Sequence, residues 1–149
     1  MQYVEALSEE KAKYVSVFLA GGITNCPDWQ AYIVDKLKNE KITIFNPRRK
    51  NFSTDDPSAV EGQIAWEYSH LHISNINSFW FPKESICPIT LLELGSALER
   101  DKPLAIGTHP GYGRRIDVEI QTEKRRPDLE IYYTLDGLAE EIKRLSKKI

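Results

Sequence analysis

Two glutamates stand at positions where a carboxylate could do chemistry. Glu93 lies in the stretch ICPITLLELGSAL, residues 86–98, amid leucines near the predicted start of a helix. An ionised, positioned carboxylate can attack a sugar carbon as a nucleophile. Glu67 lies in GQIAWEYSHL, next to a predicted apolar helix face, and could point along the sheet edge toward a pocket. The two together are candidates for an acid and a nucleophile on one cavity.

Both glutamates also have a purely structural interpretation. Residues 90–93, TLLE, fit the T-x-x-E capping box, in which Glu93 returns a hydrogen bond to the start of its own helix. The functional interpretation instead has the positive end of the helix dipole keeping Glu93 ionised beside a pocket. For Glu67 the structural alternative is a half-exposed helix residue, which periodicity alone favours. The sequence leaves both alternatives open.

The elements around these glutamates alternate between strands and helices. Strands are predicted at five apolar runs: residues 14–20, 42–45, 76–81, 104–107 and 130–133. Helices are predicted from Pro27-Asp28 to Leu37, from Ser58 to Ser74, after Pro88, and from Leu135 to Lys148. The apolar face of the second helix is predicted at Ile64, Tyr68 and Leu71, and residues 1–13 are interpreted as a polar arm.

This alternation predicts a single α/β domain over residues 1–149, with a five-stranded, mostly parallel sheet and helices on both faces. Ligands of such sheets bind outside the carboxyl ends of the strands, where the strand order reverses. Three loops are expected to converge there, at residues 21–27, 46–57 and 82–88. The helix N-termini beside them offer free N–H groups, which suit a phosphate or a carboxylate.

Composition excludes several classes of protein. The 149 residues carry a net charge of −2, whereas a general nucleic-acid binder needs a basic surface. No apolar run is long enough to span a membrane, the N-terminus lacks the apolar core of a signal peptide, and the two cysteines form no disulfide framework. We therefore expect a cytoplasmic protein with no membrane partner and no nucleic-acid polymer as partner.

The sequence indicates no cofactor and no metal. It has neither a Walker loop nor G-x-G-x-x-G, which disfavours an ATPase and a Rossmann dehydrogenase, and it has no serine nucleophile elbow. His70 and His72 are two residues apart on a predicted helix and face different ways, which makes a shared metal ion unexpected.

Four segments in order give the chain a family resemblance. They are SVFLAGGIT, FNPRR, QIAWEYSHLHISNINSFWF and PITLLELGSALE, and the most specific part is the E-L-G-x-A block that begins at Glu93. Over residues 15–107 the chain resembles the nucleoside 2-deoxyribosyltransferase family and its nucleotide N-glycosidase relatives. The resemblance implies a flavodoxin-like fold and cleavage of the bond between a nucleobase and 2-deoxyribose. It also implies a small-molecule nucleoside or nucleotide substrate, and a homo-oligomer in which a neighbouring chain often completes the pocket.

The resemblance also implies roles for single residues. Glu93 matches the nucleophile of the E-L-G motif, and Glu67 falls where the family places a carboxylate that contacts the base and helps to protonate it. Gly21 and Gly22 match small residues that let the ligand approach the backbone. The chain departs from the family in having Glu67 where Asp is usual, and Asn75 where Asp often precedes the third predicted strand.

Further side chains are candidates for substrate contacts. Trp29 and Trp66 could stack on a base, whereas Trp80 is expected in the core of its strand. Asn46, Arg48 and Arg49 follow the second predicted strand at the ligand edge, and either arginine could grip a 5′-phosphate through paired N–H donors. Residues 111–115, GYGRR, are interpreted as a flexible basic loop that could reach this site or the site of a neighbouring subunit.

Three classes of function fit these observations: an enzyme, a binding module and an interaction subunit. A transferase would pass the deoxyribosyl group to a second base, and a hydrolase would pass it to water; the sequence does not choose between them. A non-catalytic nucleotide-binding or sensing module on the same fold is the alternative, because fold does not fix function. A stabilising interaction subunit would instead engage both glutamates in caps and surface pairs. An enzyme requires both carboxyl groups to face one pocket.

Overall fold

The computed structural model describes residues 1–50 and 57–149, so part of the loop predicted at residues 46–57 lies outside the described residues. In the described ranges the strands are β1 Gln2–Glu5, β2 Val15–Gly21, β3 Ile42–Asn46, β4 Ile76–Phe81, β5 Leu104–Thr108 and β6 Ile131–Tyr132. The helices are α1 Trp29–Leu37, α2 Pro57–Ile73, α3 Pro88–Leu98, α4 Arg115–Arg125 and α5 Leu135–Ser146. Among them, no helix combines the length and the hydropathy that crossing a membrane requires.

All six strands are parallel, and their order in the sheet is β1-β3-β2-β4-β5-β6. Without the edge strand β1, this is the flavodoxin-like order 2-1-3-4-5. The predicted α/β class with its flavodoxin-like arrangement is therefore confirmed, with six strands instead of five. The order reverses around β2, which has β3 on one side and β4 on the other, so the crevice for a ligand opens beyond the carboxyl ends of β2 and β4.

The prediction of an arm at residues 1–13 is corrected for Gln2–Glu5, which forms the edge strand β1 on β3. Gln2 and Val4 point inward and are buried. The Gln2 amide oxygen accepts hydrogen bonds from the Thr43 hydroxyl and the Lys13 backbone N–H. A polar strand is stable at this edge because its buried amide is hydrogen-bonded to the neighbouring strand.

Helices cover both faces of the sheet. On one face α1 packs against α5, over a core that includes Leu19, Ile44 and Trp80. The helices α2, α3 and α4 contribute to the core on the other face, around Phe18 and Phe81. The strand residues are nearly all apolar and buried, because both sides of a parallel sheet are covered in this way. Trp80 is in the core, as the sequence predicts.

Of the three residues predicted for the buried face of α2, only Leu71 is buried. Ile64 and Tyr68 are 61% and 65% exposed, whereas Gln63, Trp66 and Leu71 are buried. The prediction is correct for Leu71 and wrong for Ile64 and Tyr68, because it considered apolar residues alone and a glutamine lies on the buried face. This arrangement brings Gln63 to a cavity at the edge of the sheet.

The segment after β5 is a second correction. Residues 111–115 lead directly into α4, which begins at Arg115 and which the sequence did not indicate. Tyr112 is 3% exposed, and its hydroxyl donates to the Ile86 carbonyl oxygen at 2.6 Å. The basic segment is thus anchored to the loop before α3.

Asn75 has a structural role at the amino-terminal end of β4. Its side-chain oxygen accepts from the Ser16 backbone N–H at 2.9 Å and from the Ser16 hydroxyl at 3.0 Å. It therefore ties β4 to the start of β2, at the end of the sheet opposite the ligand crevice.

Candidate active site

A cavity of about 400 Å³ opens at the point where the strand order reverses, a size suited to a small organic ligand. Its walls come from the ends of β2 and β3 and from the facing sides of α2 and α3. The lining residues are Phe18, Ala20, Gly21, Gly22, Ile23, Thr24, Pro47, Arg49, Gln63, Glu67, Ser85, Cys87, Pro88, Ile89, Thr90 and Glu93. Glu67 and Glu93 thus face one pocket.

The floor of the cavity is formed by Gly21 and Gly22, and packing of the protein itself requires both to be glycine. A Cβ on Gly21 would overlap the Trp29 ring and the Trp80 carbonyl oxygen. The Trp29 indole N–H donates to the Gly22 carbonyl oxygen at 2.9 Å. Trp29 is therefore buried under the loop that it fixes, and it does not line the cavity.

Two thiols flank Gly22. A Cβ on Gly22 would lie 2.8 Å from Cys87 Sγ and 2.9 Å from Cys26 Sγ. Burial raises the pKa of Cys87 to about 11 and also raises the pKa of Cys26. The two cysteines are therefore close in space, and both favour the less nucleophilic thiol form at neutral pH.

The capping-box interpretation of Glu93 is wrong. The helix α3 begins at Pro88, with Cys87 as N-cap in a left-handed conformation at φ 52°, so Thr90 lies inside the helix and cannot be its N-cap. Glu93 is in the second turn, where it faces the cavity. Among the described residues, none makes a hydrogen bond to its carboxyl group. Glu93 is therefore not explained by the stability of its own helix.

The electrostatic expectation for Glu93 is also corrected. Burial, with the charge of Glu67 as a second cause, raises the pKa of Glu93 to about 8. A position beyond the first helical turn gains little from the helix dipole. At neutral pH the two carboxyl groups therefore hold a proton that neither would keep in water.

Glu67 is held by Gln63, one turn earlier on α2. The Gln63 amide N–H₂ donates to Glu67 Oε1 at 2.6 Å and to the Pro47 carbonyl oxygen at 2.8 Å. Burial raises the pKa of Glu67, while the hydrogen bond from Gln63 and the charge of Arg49 lower it in part. The hydrogen bond from Gln63 thus fixes the orientation of the Glu67 carboxyl group. Burial lets this carboxyl group keep its proton to a higher pH than an exposed glutamate would.

Asn46 and Arg48, two of the predicted substrate contacts, line a neighbouring cavity of about 730 Å³ on the other side of the loop after β3. The Arg48 guanidinium donates to the carbonyl oxygens of Ile23 and Cys26 at 2.7 and 2.9 Å. Asn46 accepts from the Arg48 backbone N–H and donates to the Tyr3 hydroxyl. Both side chains hold loops in place and do not line the cavity of the two glutamates.

Trp66 packs in the core and does not line the cavity. Its ring stacks on His70 at 3.9 Å between centroids and contacts Phe18 and Phe45. Its indole N–H donates to the Ser8 carbonyl oxygen at 2.9 Å. This placement favours packing over the base-stacking role predicted for Trp66.

Comparison with known proteins identifies the family. The family model described as nucleoside 2-deoxyribosyltransferase like matches residues 14–112, about two thirds of the chain. The chain belongs to this family. No curated protein matched the chain by sequence comparison. The matched range contains every wall of the cavity, including both glutamates.

Membership of the nucleoside 2-deoxyribosyltransferase-like family supports a glycosyl-transfer type of function and a small-molecule nucleoside as ligand. Of the nine predicted site residues, the cavity of this family member brings together Gly21, Gly22, Arg49, Glu67 and Glu93. The other four, Trp29, Asn46, Arg48 and Trp66, support it from outside.

Sequence reasoning missed Gln63, which lines the cavity of this nucleoside 2-deoxyribosyltransferase-like chain. One signal could have found it, because residues four apart on a helix lie on the same side and Gln63 is four residues before Glu67. A glutamine at that spacing is placed to hydrogen-bond a carboxylate.

Proposed function

We propose that this chain cleaves the N-glycosidic bond of a 2-deoxynucleoside or its 5′-monophosphate, with Glu93 as nucleophile and Glu67 as acid. The deoxyribosyl group then passes to a second base or to water. The observation that carries the proposal is that both carboxyl groups line one cavity, where the charge of Glu67 helps to raise the pKa of Glu93. A structural role for either would not require them to share a pocket.

The proposed reaction has two steps. A Glu93 oxygen bonds to C1′ as the C1′–N bond breaks, and the departing base takes the proton of the Glu67 carboxyl. This gives a glycosyl ester on Glu93 and an ionised Glu67. Water or a second base then attacks C1′, its proton goes to Glu67, and the Glu93 carboxylate leaves. The logic is that of retaining glycosidases.

The raised pKa values support a pair of carboxyl groups that still holds one proton at neutral pH. The reactive form of the pair carries one proton, with Glu67 protonated and Glu93 ionised. A pair of isolated carboxyl groups would lose both protons well below neutral pH. Because burial raises both pKa values and the charge of Glu67 raises the pKa of Glu93 further, the singly protonated pair persists at neutral pH. An acid and a nucleophile are then available together.

Arg49 is the arginine that we propose for a ligand phosphate. It lines the cavity of the two glutamates and its charge acts on Glu67, whereas Arg48 does not line that cavity. A cation at this position also suits the negative charge that develops on Glu67 when its proton leaves.

We expect a bell-shaped dependence of kcat/KM on pH. Activity should fall above about pH 8 as the pair loses its last proton, and should fall at acid pH as Glu93 becomes protonated together with Glu67. The measurement is base release from one deoxynucleoside between pH 4 and 10. Glu61→Gln, an exposed change on the same helix as Glu67, is the control and should leave the profile unchanged. A profile that keeps rising above pH 9 would contradict a proton held by the pair.

The second candidate is a non-catalytic nucleotide-binding module. One observation favours it, because a Glu93 with a pKa of about 8 is mostly protonated at pH 7 in the free protein when Glu67 is ionised. A neutral glutamic acid can donate a hydrogen bond to a ligand without attacking it.

Turnover on a substrate panel separates the two candidates. Wild-type protein is incubated with deoxynucleosides and their 5′-monophosphates, with and without an acceptor base, and products are separated by chromatography. We expect free base from at least one substrate, and a new nucleoside with acceptor if the protein is a transferase. No turnover, together with a melting temperature raised by one nucleotide, would favour the binding module.

A homo-oligomer remains a prediction from the family resemblance. Large apolar side chains are exposed on the two helices that carry the glutamates: Ile64, Tyr68, Ile89 and Leu92 are between 61% and 71% exposed. Ile89 also lines the cavity, so a second copy covering these helices would lie at its rim.

A further inference from the structure

The amide of Gln63 has only one possible orientation. Its two N–H bonds are both used, one by the Pro47 carbonyl oxygen and one by Glu67 Oε1. Turning the amide over would place its oxygen against the Pro47 carbonyl oxygen, which can only accept a hydrogen bond. The amide nitrogen therefore faces Pro47 and Glu67, and the planar geometry of the amide then fixes the position of its oxygen.

Among residues 1–50 and 57–149, the oxygen of this amide has no hydrogen-bond donor. Gln63 is 9% exposed, and its Oε1 is buried without a hydrogen bond in the part of the chain that the structure describes. A buried acceptor without a donor costs free energy, so such groups usually mark a ligand or a functional constraint. Because Gln63 lines the cavity beside Glu67, the donor that it lacks can come from the ligand.

Together Gln63 and Glu67 offer a ligand a defined pattern of one hydrogen-bond acceptor and one donor. Gln63 Oε1 accepts a hydrogen bond. Glu67 Oε1 already accepts from Gln63, which leaves Oε2 as the oxygen that carries the acid proton and donates it. A ligand that satisfies both must place a donor next to an acceptor.

Purine bases differ in the hydrogen-bonding group that they carry at C6. Adenine presents N7 as acceptor and the N6 amine as donor, whereas 6-oxopurines such as guanine present two acceptors, N7 and O6. A 6-oxopurine at this site would set O6 against Gln63 Oε1, acceptor against acceptor. A site built to hydrogen-bond a donor rejects the analogue that lacks it more strongly than an apolar pocket would.

We infer that Gln63 selects 6-aminopurines, by accepting a hydrogen bond from the N6 amine while Glu67 protonates N7. This inference rests on the proposed function for its catalytic part, because N7 is the atom that receives the proton of the departing base. Gln63 then has two roles: it orients the acid through its nitrogen and recognises the base through its oxygen.

The test compares three substrates that differ only at C6: 2′-deoxyadenosine, purine 2′-deoxyriboside and 2′-deoxyinosine, together with their 5′-monophosphates. We expect the kcat/KM of wild-type protein for the 6-amino compound to exceed that for the 6-oxo compound about a hundredfold, and that for the unsubstituted compound about tenfold. In Gln63→Met these ratios should fall toward those of the uncatalysed reactions. A change that only disturbed Glu67 would lower all three rates and leave their ratios unchanged.

Gln121→Met, an exposed glutamine on α4, is the matched control and should keep the wild-type ratios. The wild-type ratios test the inference even if Gln63→Met does not fold. Equal rates for the amino, unsubstituted and oxo compounds would overturn it, as would an unchanged preference in a folded Gln63→Met.

Melting temperatures with the free bases adenine, purine and hypoxanthine separate this inference from the proposed function. A rise with adenine alone, lost in Gln63→Met, would support recognition by Gln63 even in the absence of any turnover, in which case only the proposed reaction fails. Turnover of pyrimidine or 6-oxopurine substrates in preference to 2′-deoxyadenosine would overturn the inference and leave the proposed reaction standing. If no purine raises the melting temperature and none is turned over, the inference is wrong.

Discussion

Replacing Glu93 by glutamine should lower base release at least about a thousandfold, to a level near the background of the assay. Glutamine keeps the size and polarity of the side chain but cannot form the ester with C1′. The structure removes the main structural objection to this experiment, since Glu93 caps no helix and makes no hydrogen bond among the described residues. A loss of activity in this variant therefore reports on chemistry. The measurement is chromatographic release of base from the best substrate of the panel, near pH 7.

The matched control is Glu99→Gln, at the C-terminal end of the same helix. Glu99 is exposed and pairs with Arg125, away from the cavity. We expect the control to retain wild-type turnover. If Glu93→Gln keeps more than about a tenth of wild-type activity, another group is the nucleophile and the assignment of Glu93 fails.

The sequence was a good guide where one physical requirement dominates a segment. The runs that became β2 and β4 are buried on both faces, so they are almost continuously apolar, and β2 ends at Gly21 because two tryptophans leave no room for a side chain. Parallel strands with helices on both faces then fix where a ligand can bind. The location of the cavity could be predicted for this reason.

Prediction failed where two requirements overlap in the same residues. The edge strand β1 is half polar, and it is stabilised by hydrogen bonds to residues about forty positions away, which no local pattern reveals. The helix α4 buries only Val118 and Thr122, so its charged sequence shows little apolar periodicity. In α2 the buried face carries Gln63, which lines the cavity, and a polar residue on a buried face weakens the apolar pattern by which that face could be predicted.

The capping box at residues 90–93 shows how a local motif can mislead. The motif requires Thr90 to precede the helix, but Pro88 is a favoured first residue and starts α3 earlier. That shift of one turn moves Glu93 from the helix start to the cavity wall. The position of the first residue of α3 therefore decides whether Glu93 caps the helix or lines the cavity.

The site should also cost the protein stability in a way that depends on pH. Because the pKa of Glu93 is raised from 4.5 to about 8 by folding, the folded state binds its proton more tightly than the unfolded state does. The contribution of Glu93 to stability is then complete below about pH 4.5 and is lost as the pH rises through about 8. A shift of this size corresponds to about 3–5 kcal/mol of unfolding free energy.

Glu93→Gln should therefore be more stable than wild type at alkaline pH and nearly equal to it at pH 4.5. For a chain of this length the difference in melting temperature at pH 8.5 should be about 10 °C. The measurement is thermal unfolding of both proteins at intervals from pH 4.5 to 9, with Glu99→Gln as a control that should follow wild type. Parallel curves for wild type and Glu93→Gln would mean that folding does not perturb this carboxyl group. A gap that widens with pH would show that the fold sacrifices stability to keep two carboxyl groups in one pocket, which is expected of a functional site and not of a helix cap.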